Sequence, residues 1–230
     1  MNEDFIKDIL AKVGLFKITK KIFGQFLYKY KNYKFKKEAY NALKKIKQIL
    51  EEEEIIFWLE FGTLLGAVRD NDFIKHDFDI DLGCLTIEKR EVLKDKLEKN
   101  GFKYLRKIII QNGEKICEET YSYKNKLNID FFYFYPKENK IIFYDFEGEE
   151  NLSFNETIKR KGGLICYSTE ISNFELKKYN FKGLEFNIPA ETTLHLKELY
   201  GEEFMIPDSK WKPNMRKNRM KLDIYGRVER

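Results

Sequence analysis

No apolar run in this 230-residue chain is long enough to cross a bilayer. The longest candidate, residues 55–59, falls far short of the roughly 20 residues a spanning helix needs. The N-terminus opens Met1-Asn2-Glu3-Asp4, acidic where a secretory leader would be basic, so no signal peptide is expected. Cysteine is scarce: Cys84, Cys117 and Cys166 are odd in number and widely spaced, which excludes a disulfide framework and any recognisable zinc spacing. A reducing, cytoplasmic setting with three buried thiols is the simplest expectation. Internal repeats and low-complexity tracts are also missing.

What is present is a chain able to build a core. Apolar residues make up 43% and aromatic residues 16%, enough for one substantial domain and against disorder. Charge is unevenly placed. Residues 1–50 hold 13 Lys and 4 acids, a local +9, while the whole chain is +5, so the other 180 residues carry −4. Nucleic acid, an anionic membrane or a phosphorylated acceptor would each suit such a segment, and so would a solvated helical face.

Apolar spacing predicts a helix over 5–16, from Ile6, Ile9, Leu10 and Val13. A second one is predicted around Ala39, Leu43, Ile46 and Leu50, with Lys29 to Lys37 as a linker or exposed turn between them. From residue 55 short apolar runs divided by glycines take over. Phe57-Trp58-Leu59 reads as a strand or helix end, Gly62 to Val68 as a short helix, and 87–99 as another. Runs at 102–110, 115–123, 127–135 and 140–146 read as strands, and 190–200 as a helix bounded by Pro189 and Gly201. The fold class expected is α+β: a helical N-terminal arm over 1–54, then a domain over 55–230 built on a mixed sheet flanked by helices.

The chemistry concentrates in Phe61-Gly62-Thr63-Leu64-Leu65-Gly66-Ala67-Val68-Arg69 and in His76-Asp77-Phe78-Asp79-Ile80-Asp81-Leu82-Gly83. On a strand, alternate residues share a face, so Asp77, Asp79 and Asp81 should point together while Phe78, Ile80 and Leu82 enter the core. Carboxylates roughly 6.5–7 Å apart at Cα can hold one or two hard cations, which would relieve their repulsion. The Gly62-Thr63 turn offers backbone N–H groups for a phosphate, and Arg69 a charge for a diphosphate. Asp130, alone among apolar residues in 127–133, is costly to bury unless paired or bound to metal, and an adjacent strand would bring it to the cluster. A calcium loop is disfavoured: Asp77, Asp79, Asp81 and Glu88 have its spacing, but its sixth position is Leu82, and the glycine comes one place late. His76, His195, Lys75 and Lys159-Arg160-Lys161 read more simply as structural or solvated groups.

These motifs resemble the LicD family and its relatives fukutin and fukutin-related protein, whose pattern is close to Gly-Thr-Leu-Leu-Gly-Ala-Val-Arg followed by a Phe-Ile spacer and a DxDID-type acidic strand. The resemblance continues in Gly183-Leu184-Glu185-Phe186-Asn187-Ile188-Pro189, Leu199-Tyr200-Gly201 and Pro207. It implies a nucleotidyltransferase-like fold and a Mg²⁺-dependent (or Mn²⁺-dependent) phosphotransferase. Such an enzyme moves phosphocholine or a related group from a CDP-linked donor to a sugar of a surface glycan or its lipid-linked precursor. Asp79, Asp81 and Asp130 would be catalytic, with Asp77 completing the metal ligands and Gly62, Thr63 and Arg69 on the donor phosphates. The chain has Lys75-His76 where the family commonly has Pro-Trp, which bears on the pocket wall. The cysteine-rich insertion of fukutin-related protein is absent, so no structural zinc is expected. An NTP-using nucleotidyltransferase and a silent glycan- or nucleotide-binding module are the alternatives. The lysine-rich arm, with its apolar face, is expected to touch anionic membrane at the inner face rather than nucleic acid.

Overall fold

The computed structural model describes residues 16–230 apart from 76, 86–87, 89, 111–112 and 125–126, with side chains from residue 32 onward, 34 excepted. Ile6, Ile9, Leu10 and Val13, the apolar face read from the sequence, lie outside the described residues. The first element, α1 (Phe16–Glu52), is one continuous helix, so Lys29 to Lys37 is neither linker nor turn. That stretch contains no glycine or proline, and lysine and tyrosine are tolerated in helices, so nothing locally interrupts it. Phe35, Ala39, Ala42, Leu43, Ile46, Ile49 and Leu50 recur at helical spacing and are buried in the main core. The second half of α1 is thus built into the body of the domain. Lys36 pairs with Asp72, and Lys124 reaches Glu38 at 2.9 Å.

The elements that follow are β1 (Phe57–Leu59), α2 (Phe61–Asp70), β2 (Asp79–Cys84), α3 (Arg90–Lys99), β3 (Phe102–Ile110), β4 (Lys115–Tyr123), β5 (Leu127–Tyr133), β6 (Tyr135–Lys137) and β7 (Lys140–Glu147). Then come α4 (Phe154–Lys161), β8 (Leu164–Ser172), β9 (Leu176–Phe181), β10 (Leu184–Pro189), α5 (Thr192–Tyr200) and β11 (Arg219–Glu229). Nine strands form one mixed sheet in the order β1-β2-β5-β4-β3-β11-β8-β7-β6, and β9 and β10 form a separate hairpin. β2 and β5 run parallel and the other described pairs run antiparallel. The α+β class is therefore as the sequence implied.

Alternation along β2, β5 and β4 sends Ile80, Leu82, Ile129, Phe131, Tyr121 and Tyr123 into the core that holds α1 and α3. The intervening acids are left on the opposite face. Phe78 departs from the expected pattern. β2 starts only at Asp79, and Phe78 is 43% exposed, with its ring edge-on to Phe35 at 5.4 Å. Lys159-Arg160-Lys161 forms the last turn of α4, a favourable place for cations, with Gly162 capping it in the left-handed region. All three cysteines are free and buried. No described helix is long and apolar enough to cross a membrane.

Candidate active site

The site is organised around the break between β1 and α2. Glu60 caps α2 with its carboxylate, which accepts hydrogen bonds from Phe61 N (3.1 Å) and Trp58 Nε1 (2.6 Å) and pairs with His195 Nε2 (2.8 Å). Glu60 is fully buried and His195 nearly so, making this an internal hydrogen-bonded anchor. His195 is held in this anchor, in keeping with a structural group. From this anchor the chain turns through Phe61 at φ +41° into the first turn of α2. There Gly62 N donates to Asp81 Oδ2 at 3.0 Å, and Thr63 Oγ1 accepts from Asp81 N at 2.9 Å. Gly62 and Thr63 thus grip the acidic strand itself. A Cβ on Gly62 would overlap Asp77 Oδ2 and come within 3.2 Å of Asp81 Oδ2, so only glycine lets the helix approach the carboxylates this closely.

Asp77, Asp79 and Asp81 each offer a carboxylate oxygen, and these oxygens lie within 4.8 Å of one another. Burial, followed by the Asp79 hydrogen bond and charge, pushes Asp77 up to about 8. Burial and the charges of Asp79, Asp77 and Asp130 hold Asp81 well above the carboxylate range. Such a set of hard oxygen donors, costly to ionise together, fits a small divalent cation.

Asp130 stands opposite Asp81 in the parallel pairing of β5 with β2, one strand spacing (about 4.8 Å) away on the same face. It lies outside the compact triad. Its Oδ1 accepts from Thr120 Oγ1 at 2.6 Å; Thr120 in turn accepts from Arg106 Nε at 3.2 Å, and Arg106 Nη2 donates to Glu118 at 2.8 Å. Burial, then the Glu118 charge, raises Asp130 to about 7. Sequence reasoning missed Thr120, Glu118 and Arg106. The register of the β4–β5 hairpin, which sets Thr120 opposite Asp130, is the signal that could have found Thr120. Arg69 is not brought to the acids. It lies seven residues beyond Gly62, roughly 10 Å along the helix, and bonds Asp70 through Nε and Nη2 at 3.0 Å each. His76 lies outside the described residues.

These raised carboxyls predict a linkage. A group whose pKa is raised on folding stabilises the fold while protonated, and that contribution is lost as pH climbs through the folded value. Without metal, the melting temperature should therefore fall from about pH 4, where these carboxyls ionise in the unfolded chain, to about pH 8, with the window closed by Asp130 near 7 and Asp77 near 8. Excess Mg²⁺ should restore it mainly above pH 7, where the acids ionise. Melting curves in EDTA and in Mg²⁺ check this, and a flat profile in EDTA would contradict it.

Against known proteins, the family model described as LicD/FKTN/FKRP, nucleotidyltransferase domain, matches residues 54–191, more than half of the chain and a span containing all four acids. An uncharacterised protein of Rickettsia prowazekii is 26% identical over 166 residues, covering 71% of this chain and 54% of that protein. The Mus musculus protein named ribitol-5-phosphate transferase FKTN is 25% identical over 177 residues, 77% of this chain and 35% of the mouse protein. The chain thus spans about half or less of these relatives' length. The lincomycin-bound structure of the lincosamide antibiotic adenylyltransferase LnuA aligns with a TM-score of 0.40 at 14% identity, over 66% of this chain and 80% of that one.

Proposed function

Since the chain belongs to the LicD/FKTN/FKRP nucleotidyltransferase-domain family, we propose that it is a phosphotransferase acting on a CDP-linked donor. It would transfer phosphocholine, phosphoribitol or a related group to a sugar hydroxyl of a surface glycan or its lipid-linked precursor. The observation that carries this reading is the convergence of Asp77, Asp79 and Asp81 at the first turn of α2, with Asp130 on the adjoining strand. The cytoplasm, at the inner face of the membrane, is the proposed place of work.

Asp77, Asp79 and Asp81 would hold Mg²⁺ or Mn²⁺, which when bound stabilises negative charge on the phosphoryl oxygens and the leaving group. Gly62 and Thr63 act through Asp81, fixing its carboxylate and backbone. Asp130 is the general base. Thr120 occupies Oδ1, leaving Oδ2 to take the proton of the acceptor hydroxyl, and a pKa about 7 suits that task near neutral pH. The acceptor oxygen forms its bond to phosphorus as the bond to CMP breaks, and CMP leaves. Arg69, tied to Asp70, stands outside this step.

With Mg²⁺, the protein should bind CDP-ribitol, CDP-glycerol or CDP-choline more tightly than ATP or a UDP-sugar and release CMP from the donor it prefers. Calorimetry and a CMP-release assay test this. Preference for an NTP, with pyrophosphate released, would turn the reading toward a nucleotidyltransferase.

A further inference from the structure

Tyr200 ends α5, and Arg216 lies in the segment between α5 and β11; neither takes part in the chemistry above. Phe61 links them to the acids. Gly62, the next residue, bonds Asp81, and the Phe61 ring meets Phe132, two residues beyond Asp130 on the same face of β5, at 4.7 Å. Over that ring, 5.1 Å from its centre, sits the Arg216 guanidinium, which also lies 5.4 Å from the Trp211 ring. Trp211 packs on Tyr200 at 4.5 Å.

The Arg216 side chain is 5% exposed and, among the described residues, makes one hydrogen bond, from Nη1 to Asp145 Oδ2 at 2.9 Å; Oδ1 of that carboxylate is taken by Arg219. Its Nε is buried without a partner. A buried guanidinium donor left empty is expensive, and a charged acceptor is what would repay it. Tyr200, packed on the Trp211 ring that Arg216 also faces, adds a second, neutral donor. The charge balance also calls for a cation here. One divalent ion offsets two of the four carboxylates Asp77, Asp79, Asp81 and Asp130 and leaves two in excess before a diphosphate arrives, and Arg69 and Arg106 are tied to Asp70 and Glu118.

We infer that Arg216 and the Tyr200 hydroxyl form the anion-binding wall of the site and take phosphate oxygens of a diphosphate-containing donor; this rests on the phosphotransferase reading. Arg216 supplies the charge and Tyr200 a neutral donor, and among the described residues neither hydrogen-bonds Asp77, Asp79 or Asp81. Inorganic pyrophosphate is the probe, because its binding can be read whether or not any CDP-linked donor turns over. In Mg²⁺, calorimetry should show pyrophosphate binding weakened about 10- to 100-fold by Tyr200→Phe and by Arg216→Lys, which keeps the charge and a bond to Asp145. Mg²⁺ affinity and melting temperature should stay near wild type in both. Wild-type pyrophosphate affinity in both variants overturns the inference, as does no binding by the wild-type protein or a parallel loss of Mg²⁺ affinity. If the variants lose pyrophosphate binding but the wild type releases no CMP from any CDP-linked compound, the anion wall stands and the donor assignment falls.

Discussion

Replacing Asp79 or Asp81 with asparagine is expected to lower CMP release by about a thousandfold or more, the scale of the several kcal/mol a bound cation contributes to a phosphoryl-transfer transition state. The shape of each side chain survives, so the fold should survive as well. In EDTA these variants should melt at or above the wild-type temperature, because a like charge has been removed from a buried cluster. Asp130→Asn separates two roles. As general base its loss should cost about 10²- to 10⁴-fold in turnover with Mg²⁺ affinity unchanged, since Asp130 lies outside the compact triad. A matching fall in Mg²⁺ affinity would make it a fourth ligand instead. Wild-type turnover in all three variants would leave a binding module as the surviving reading.

Gly62→Ala should be nearly as damaging for a different reason. The substitution removes no functional group, and alanine is the better helix former by about 1 kcal/mol. Its methyl, however, would occupy the space of Asp77 Oδ2 and crowd Asp81 Oδ2. Either α2 retreats, breaking the Gly62 N to Asp81 bond, or the carboxylates move apart. A displacement on the order of 1 Å at a reacting centre costs about a hundredfold, so Mg²⁺ affinity and turnover should fall together by at least that much. The melting temperature should change little. An alanine variant with wild-type Mg²⁺ affinity would show that the carboxylates tolerate the intrusion.

The acidic strand and the glycine turn were legible in the sequence because each is a local pattern. Period-two alternation exposed Asp79 and Asp81 against Ile80 and Leu82, and the apolar setting of Asp130 marked it as needing a partner. Phe78 shows the limit of that logic: alternation indicates which face a residue would occupy, not where the strand begins. The continuous course of α1 was hidden because lysine and aromatic residues weaken the apolar periodicity without breaking the helix. Other parts of the site depend on long-range pairing. Glu60 and His195 are 135 residues apart, and no local pattern connects them. Arg106 comes opposite Thr120, and so to the partner of Asp130, through a register shift between β3 and β4. Arg69 pairs in the structure with Asp70, its neighbour in sequence.

The place of β11 bears on how such a chain comes to be folded at all. β3 and β8 are not paired with each other; residues 219–229 lie between them, with Arg227 opposite Ile109 and Arg219 opposite Thr169. On the ribosome, the strands carrying the acids and those carrying Asp145 can each assemble early, but as two half-sheets with open edges. They cannot be joined until β11 has emerged, and its pairings close loops of more than a hundred residues on the β3 side. Long-range pairing of that kind is slow, and unpaired edges are sticky while it is pending. Chaperone demand during synthesis should therefore depend on the interval before residue 219 clears the exit tunnel more than on the final stability of the sheet.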